Sequence, residues 1–133
     1  MNQTQRQFQS PRPAAEVEFS LANDTLIARI LGEIDHHSAR RLREAIDMEV
    51  FRTLPGALTL DLSGVGFMDS AGLGLILGRL NLMTGRKGVL RLSGLNPTVA
   101  RILSLAGVER LPGLILPDSD GAVPAETVPV GAV

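Results

Sequence analysis

The order of strand-like and helix-like segments constrains the fold of this chain more than any other feature. Residues 57–62 form an aliphatic run typical of a buried strand, and helical spacing of apolar residues follows over 70–84. A strand-like run at 89–92, a helical pattern from Asn96 and an aliphatic run at 114–116 continue the alternation. Because such alternation with short links requires parallel strands joined by right-handed crossovers, the fold class is α/β.

The first part of the chain predicts a hairpin and one further helix. Residues 17–31 have the pattern of two short strands around Asn23-Asp24, a tight-turn dipeptide. A helix is expected over 36–51 with Asp35 as its N-cap. Its apolar stripe would contain Ala39, Leu42, Ile46 and Val50. The expected architecture is a small mixed β-sheet, an N-terminal hairpin followed by alternating strands and helices, with the helices packed on it.

One domain over residues 15–116 is expected, with an extension at each end. Residues 1–14 are rich in Gln, Pro and Arg and predict a flexible arm. Residues 117–133 carry three prolines among small residues and predict a disordered tail. The hydrophobic content of 44% supports a core that must be aliphatic, since the chain has four Phe and no Trp or Tyr.

Composition excludes several kinds of site. With no cysteine, the chain cannot form disulfides, iron–sulfur clusters or thiolate zinc sites. A net charge of −1 and few aromatic residues argue against nucleic-acid binding. The polar N-terminal residues do not resemble a signal peptide, and the longest apolar stretch, 73–77, is too short to span a membrane. We expect a soluble, cytoplasmic protein with no cofactor and with neither nucleic acid nor membrane as a partner.

The main candidate site is the loop over residues 63–70. Functional sites in open α/β sheets lie beyond the carboxyl ends of the strands, where this loop and residues 33–37 are both expected. The hydroxyl of Ser70 can cap the following helix, attack an electrophile or accept a phosphate, and capping is its ordinary role. A phosphate there would meet free N–H groups at the helix N-terminus and would add about −1.5 to −2 charges to a small apolar surface.

Four other patterns are weaker evidence for a functional site. The glycines of residues 72–78 are one residue off the dinucleotide-binding spacing, and the preceding loop is too long for that motif. A nucleophile elbow would need glycine where Met68 stands. Adjacent His36 and His37 point in different directions on a helix and cannot jointly bind a metal ion in the usual manner. The basic pair within residues 85–88 is typical of a solvated turn.

The helix over 70–84 predicts a buried stripe and some apolar surface outside it. The stripe would contain Leu73, Ile76, Leu77 and Leu80. The apolar residues left outside it would be Met68, Leu75 and Leu82. Exposed apolar patches of this kind mark partner surfaces.

Two segments resemble a known family. Residues 32–39, Gly-Glu-Ile-Asp-His-His-Ser-Ala, and residues 67–79, Phe-Met-Asp-Ser-Ala-Gly-Leu-Gly-Leu-Ile-Leu-Gly-Arg, resemble the bacterial anti-sigma factor antagonists of the STAS domain family. The Asp-His-His stretch is similar to the sporulation type, which acts on the anti-sigma-F factor. The resemblance covers about residues 16–116, and relatives often carry a further helix where this chain has its Pro-rich tail.

The resemblance implies a partner-switching protein that is not an enzyme. The unphosphorylated form would bind an anti-sigma factor that is also a serine kinase, and the sigma factor would be released. Phosphorylation of Ser70 by that kinase would break the complex, and a metal-dependent serine phosphatase would restore it. Ala71 stands where relatives often have a second serine, which leaves Ser70 as the only hydroxyl of the motif.

The same resemblance assigns the partner-binding residues. Asp69 would orient Ser70 or contact the kinase. The residues expected around these two are Asp35, His36, His37, Met68, Gly72 and Leu73. Two alternatives stay open, namely an unmodified STAS scaffold in which Ser70 only caps its helix, and a small enzyme or nucleotide-binding protein.

Overall fold

The structure, a computed structural model, describes residues 15–116 and 128–132. Within them lie six strands: β1 (Glu16–Ala22), β2 (Thr25–Leu31), β3 (Ala57–Gly64), β4 (Val89–Ser93), β5 (Leu114–Ile115) and β6 (Val128–Ala132). The helices are α1 (Ala39–Thr53), α2 (Ser70–Gly85) and α3 (Pro97–Leu105), and a short 3-10 turn (Val108–Arg110) follows α3. The strands form one mixed sheet in the order β5-β4-β3-β2-β1-β6. The predicted fold class is confirmed.

The hairpin and the parallel strands follow the predicted order. β1 and β2 pair antiparallel around Asn23-Asp24. Asn23 has a φ of 57°, a left-handed conformation that Asn adopts more readily than most residues. β2, β3, β4 and β5 pair in parallel, each with the next. Since the three crossovers advance in one direction across the sheet and such crossovers are right-handed, α1, α2 and α3 lie on the same face.

The core lies between that face and the helices. The strand residues that face the helices are fully buried aliphatics, among them Leu26, Ile30, Leu58, Leu60, Leu62, Leu90 and Leu92. From α1 the predicted residues Leu42, Ile46 and Val50 are buried against them, and Ala39 is half-buried. α3 begins as predicted, since the Asn96 side chain accepts the N–H of Val99 at 2.8 Å.

The buried face of α2 differs from the predicted stripe. Leu75 is 4% exposed and Met68, just before the helix, is 1% exposed, although both were expected outside. Leu77 was expected inside and is 37% exposed. The helix is apolar or glycine at most positions, so its sequence shows no clear polar side. It also packs against both β4 and α1, which buries a broader face than one stripe.

α1 begins three residues later than predicted. Asp35 is not its N-cap, because residues 36–38 form a turn before the helix starts at Ala39. The Asp35 carboxylate accepts the N–H groups of His37 and Ser38, each at 3.0 Å, and so stabilises this turn instead.

The end of the chain departs from the predicted disordered tail. Val128–Ala132 pairs antiparallel with β1, so the tail prediction is wrong for this segment. A partner there satisfies the outer edge of β1, and an edge strand tolerates Pro129, which has no N–H to donate. The predicted arm over residues 1–14 lies outside the described residues, as do residues 117–127 and 133.

Across residues 15–116 and 128–132, none of the helices combines the length and the apolar character that crossing a membrane requires.

Candidate functional site

The loops that follow β2 and β3 lie side by side beyond the carboxyl ends of these strands. The N–H of Ile34 donates to the Phe67 carbonyl at 3.3 Å, and the N–H of Asp69 donates to the Ile34 carbonyl at 3.2 Å. The parallel pairing of β2 and β3 therefore continues past the strand ends. It brings the Asp-His-His segment, residues 35–37, beside the start of α2.

Ser70 is the first residue of α2, and its side chain is exposed. The N-cap of this helix is Asp69, which has extended backbone angles and whose Oδ1 accepts the N–H of Ala71 at 2.7 Å. The ordinary interpretation of Ser70 as the capping residue is therefore wrong, since Asp69 performs that role. The Ser70 hydroxyl stands at the surface one residue into the helix.

The rim beside Ser70 carries two carboxylates and two imidazoles. Nδ1 of His36 lies 4.0 Å from Oδ2 of Asp69, and both side chains are open to solvent. The rings of His36 and His37 contact each other, with centroids 4.0 Å apart. The backbone N–H of Ser38, helped by that of His37, holds the pKa of Asp35 below its ordinary value of 3.8. The ionised form of the Asp35 carboxylate is therefore favoured beside the two imidazoles.

Met68 and Gly72 were predicted to contact a partner, but both are buried. A Cβ on Gly72 would lie 2.6 Å from Cβ of Met68, so the glycine allows the first turn of α2 to close over the methionine. Leu73 is half-buried against the core. Met68 and Gly72 therefore lie beneath the surface and shape it from within.

Phe67 is an exposed apolar residue of this surface that was not among the predicted site residues. Its side chain is 47% exposed, directly before the buried Met68. The available signal was an aromatic residue in a loop between a strand and a helix, in a chain with only four Phe.

A groove beside this surface contains charged residues that were also not among the predicted site residues. It runs between α1 and α2 and has a volume of about 460 Å³. Arg79 of α2 is 6% exposed there, with Nε 2.8 Å from Oδ1 of Asp47 on α1. Burial lowers the pKa of Arg79 and raises that of Asp47, and the attraction between them opposes both shifts.

Two other kinds of site, a dinucleotide-binding loop and a metal site, can also be compared with the structure. The glycines of residues 72–78 lie inside α2 and not in a turn before a helix, so they cannot form a dinucleotide-binding loop. In the part of the chain that the structure describes, no three His, Cys, Asp or Glu side chains gather into a metal-binding group.

The chain belongs to the STAS domain family, whose model matches residues 16–122. Within that family, it is 35% identical over 112 residues to the anti-sigma F factor antagonist of Paenibacillus polymyxa, covering 84% of this chain and 92% of that protein. The resemblance seen in residues 32–39 and 67–79 is confirmed.

Two solved structures of the anti-sigma factor antagonist SpoIIAA have the same fold. The unphosphorylated form is 25% identical with a TM-score of 0.61, and the match covers 77% of this chain and 89% of that one. The phosphorylated form of the Bacillus protein is 25% identical with a TM-score of 0.59, and the match covers 77% of this chain and 92% of that one.

Proposed function

We propose that this protein is an anti-sigma factor antagonist controlled by phosphorylation of Ser70. Its unphosphorylated form binds an anti-sigma factor with serine kinase activity and releases the sigma factor, in the cytoplasm where transcription takes place. Its similarity to anti-sigma factor antagonists supports an anti-sigma factor as the partner. The observation that carries the proposal is the exposed Ser70 hydroxyl, which Asp69 leaves free of capping, on a surface continuous with the Asp-His-His rim.

The proposed switch is electrostatic. The kinase transfers the γ-phosphoryl group of ATP to Oγ of Ser70, the hydroxyl proton is lost and ADP leaves. The product carries about −1.5 to −2 charges beside the Asp69 carboxylate. Docking would then require two neighbouring anions to lose water at once, so the complex dissociates. A metal-dependent phosphatase reverses the modification by hydrolysis. In this cycle the protein is a substrate and a binding partner and performs no catalysis of its own.

Intact-mass measurement after incubation with ATP and the cognate anti-sigma kinase tests the acceptor. We expect the wild-type protein to gain one phosphate and Ser70→Ala to gain none. Ser63→Ala is the matched control, because Ser63 is also exposed near the carboxyl end of β3 and should not affect the reaction. Phosphorylation of Ser70→Ala, or no phosphorylation of the wild type, would contradict the proposed acceptor.

Calorimetric titration with the same anti-sigma factor tests the switch. Ser70→Ala should bind as tightly as the unphosphorylated wild type. Ser70→Asp should bind at least about tenfold more weakly, because it places a charge in the interface. Equal affinity of the two variants would instead favour an unmodified STAS scaffold.

A further inference from the structure

The groove between α1 and α2 has an excess of positive charge. It adjoins the surface around Ser70 and residues 35–37, called here the Ser70 surface. It reaches that surface through His36 and Ala71, and its walls include Arg40 and Arg43 of α1 and Arg79 of α2. Two of these arginines have an acidic neighbour. Arg40 Nε lies 3.2 Å from Glu44 in an exposed pair, and Arg79 Nε lies 2.8 Å from Asp47.

The third arginine, Arg43, is exposed, and none of the carboxylates in residues 15–116 lies within ion-pair distance of it. Its charge is close enough to influence the pKa of both Asp47 and Arg79. The three arginines of the groove therefore carry one positive charge more than their two acidic neighbours, Glu44 and Asp47, neutralise.

The buried guanidinium of Arg79 is also incompletely satisfied. Its Nε is near Asp47, but the N–H does not point at the carboxylate oxygen, and Nη1 has no acceptor among the described residues. A buried donor without an acceptor is unfavourable, and one that lines a groove is suited to an acceptor from another molecule.

The α2 side of the groove includes two glycines, Gly74 and Gly78, that packing against the described residues does not require. Among the described residues, a Cβ added to Gly74 or Gly78 would meet no atom within 4 Å, unlike one added to Gly72. A helix with glycine in its interior is less stable than one with alanine there, so packing against the residues of 15–116 does not explain these two glycines. Their absence of side chains permits the close approach of another backbone, which favours a protein segment over a free anion as the occupant.

We propose that this groove binds an acidic segment of the anti-sigma factor. One carboxylate of that segment would accept hydrogen bonds from Arg43 and Arg79, while its backbone lies over Gly74 and Gly78. The inference rests on the proposed function, since it extends the Ser70 surface along α2 and supplies a contact that Ser70 does not make. It gives the antagonist a second point of recognition, defined by charge and close packing.

Charge reversal tests the contact directly. Arg43→Glu should weaken binding of the cognate anti-sigma factor by at least about tenfold in calorimetric titration at low salt. Arg91→Glu is the matched control, because Arg91 is also exposed but belongs to β4 on the face away from the helices. Its affinity should equal that of the wild type.

A steric variant tests the close approach without changing any charge. Gly78→Leu should fold, since open space surrounds the added side chain, and should weaken binding by about tenfold or more. Gly85→Leu, which also places its side chain in open space but at the far end of α2, should bind normally.

The outcomes separate this inference from the proposed function. If the wild type binds and Ser70→Asp does not, while Arg43→Glu and Gly78→Leu bind normally, the groove inference is overturned and the Ser70 switch stands. If the wild type does not bind at all, the proposed function fails and the inference fails with it. Saturable shifts of the Gly74 and Gly78 amide resonances with inorganic phosphate, together with normal binding by Arg43→Glu, would indicate a free-anion site and overturn the inference.

Discussion

Gly72 and Gly74 lie two residues apart on α2, yet the molecule uses them in opposite ways. Gly72 is closed in by Met68, whose Cβ lies 2.6 Å from where a Cβ would be, whereas a Cβ on Gly74 would meet no atom of the described part of the chain within 4 Å. The inner side of the first turn is therefore fixed by packing inside the chain. The outer side is left open. A glycine-rich motif can thus combine a structural demand with an accessible surface.

The largest change in the free energy of unfolding is expected at Gly72. Gly72→Ala should lower the free energy of unfolding by about 1–2 kcal/mol, because the new methyl group overpacks the rigid end of the Met68 side chain. Gly74→Ala is the control and should raise it by up to about 1 kcal/mol, the helix preference for alanine. Chemical denaturation measures both. Equal changes in the free energy of unfolding of the two variants would contradict the different roles of the two glycines.

A smaller effect distinguishes the two residues at the helix start. Asp69→Ala should lower the free energy of unfolding by about 1 kcal/mol, because it removes the acceptor of the Ala71 N–H. Ser70→Ala should change it by less than about 0.5 kcal/mol, as expected for an exposed residue without a capping role. Thermal or chemical denaturation gives both values. A larger loss of unfolding free energy for Ser70→Ala than for Asp69→Ala would show that the serine caps the helix.

The smallest effect concerns pH and the turn that Asp35 stabilises. The pKa of Asp35 is below its ordinary value of 3.8, so the unfolded state binds its proton more readily than the folded state does. The stabilisation from the ionised carboxylate is present above that ordinary value and is lost as the pH falls through the folded-state pKa. The stability difference between wild type and Asp35→Asn should therefore shrink from about pH 7 to about pH 3. A difference that is constant or grows in acid would contradict this assignment.

The order of strands and helices could be predicted because local signals agree with the tertiary structure. Aliphatic runs at β3 and β4, the Asn-Asp turn and the Asn-Pro helix start each have one strong interpretation. The position of the site followed from topology, since parallel strands carry their loops to the same edge of the sheet. These features do not depend on which distant residues meet.

The remaining features depend on contacts that sequence spacing does not reveal. Asp69 and Ser70 are adjacent and both residue types cap helices, so only the backbone angles at Asp69 decide between them. Arg79 is of a type normally exposed, and its burial follows from Asp47 on another helix. The pairing of β6 with β1 joins segments about a hundred residues apart in a chain where prolines predict irregular structure.

The hydrogen bonds that join Ile34 to Phe67 and Asp69 have a thermodynamic consequence for recognition. Two loops held together by their own main chains have already lost much of their conformational freedom before any encounter. An incoming protein would meet a preorganised template and would spend little of its affinity on ordering it. Phosphorylation could then act through charge alone, without any need to remodel the backbone.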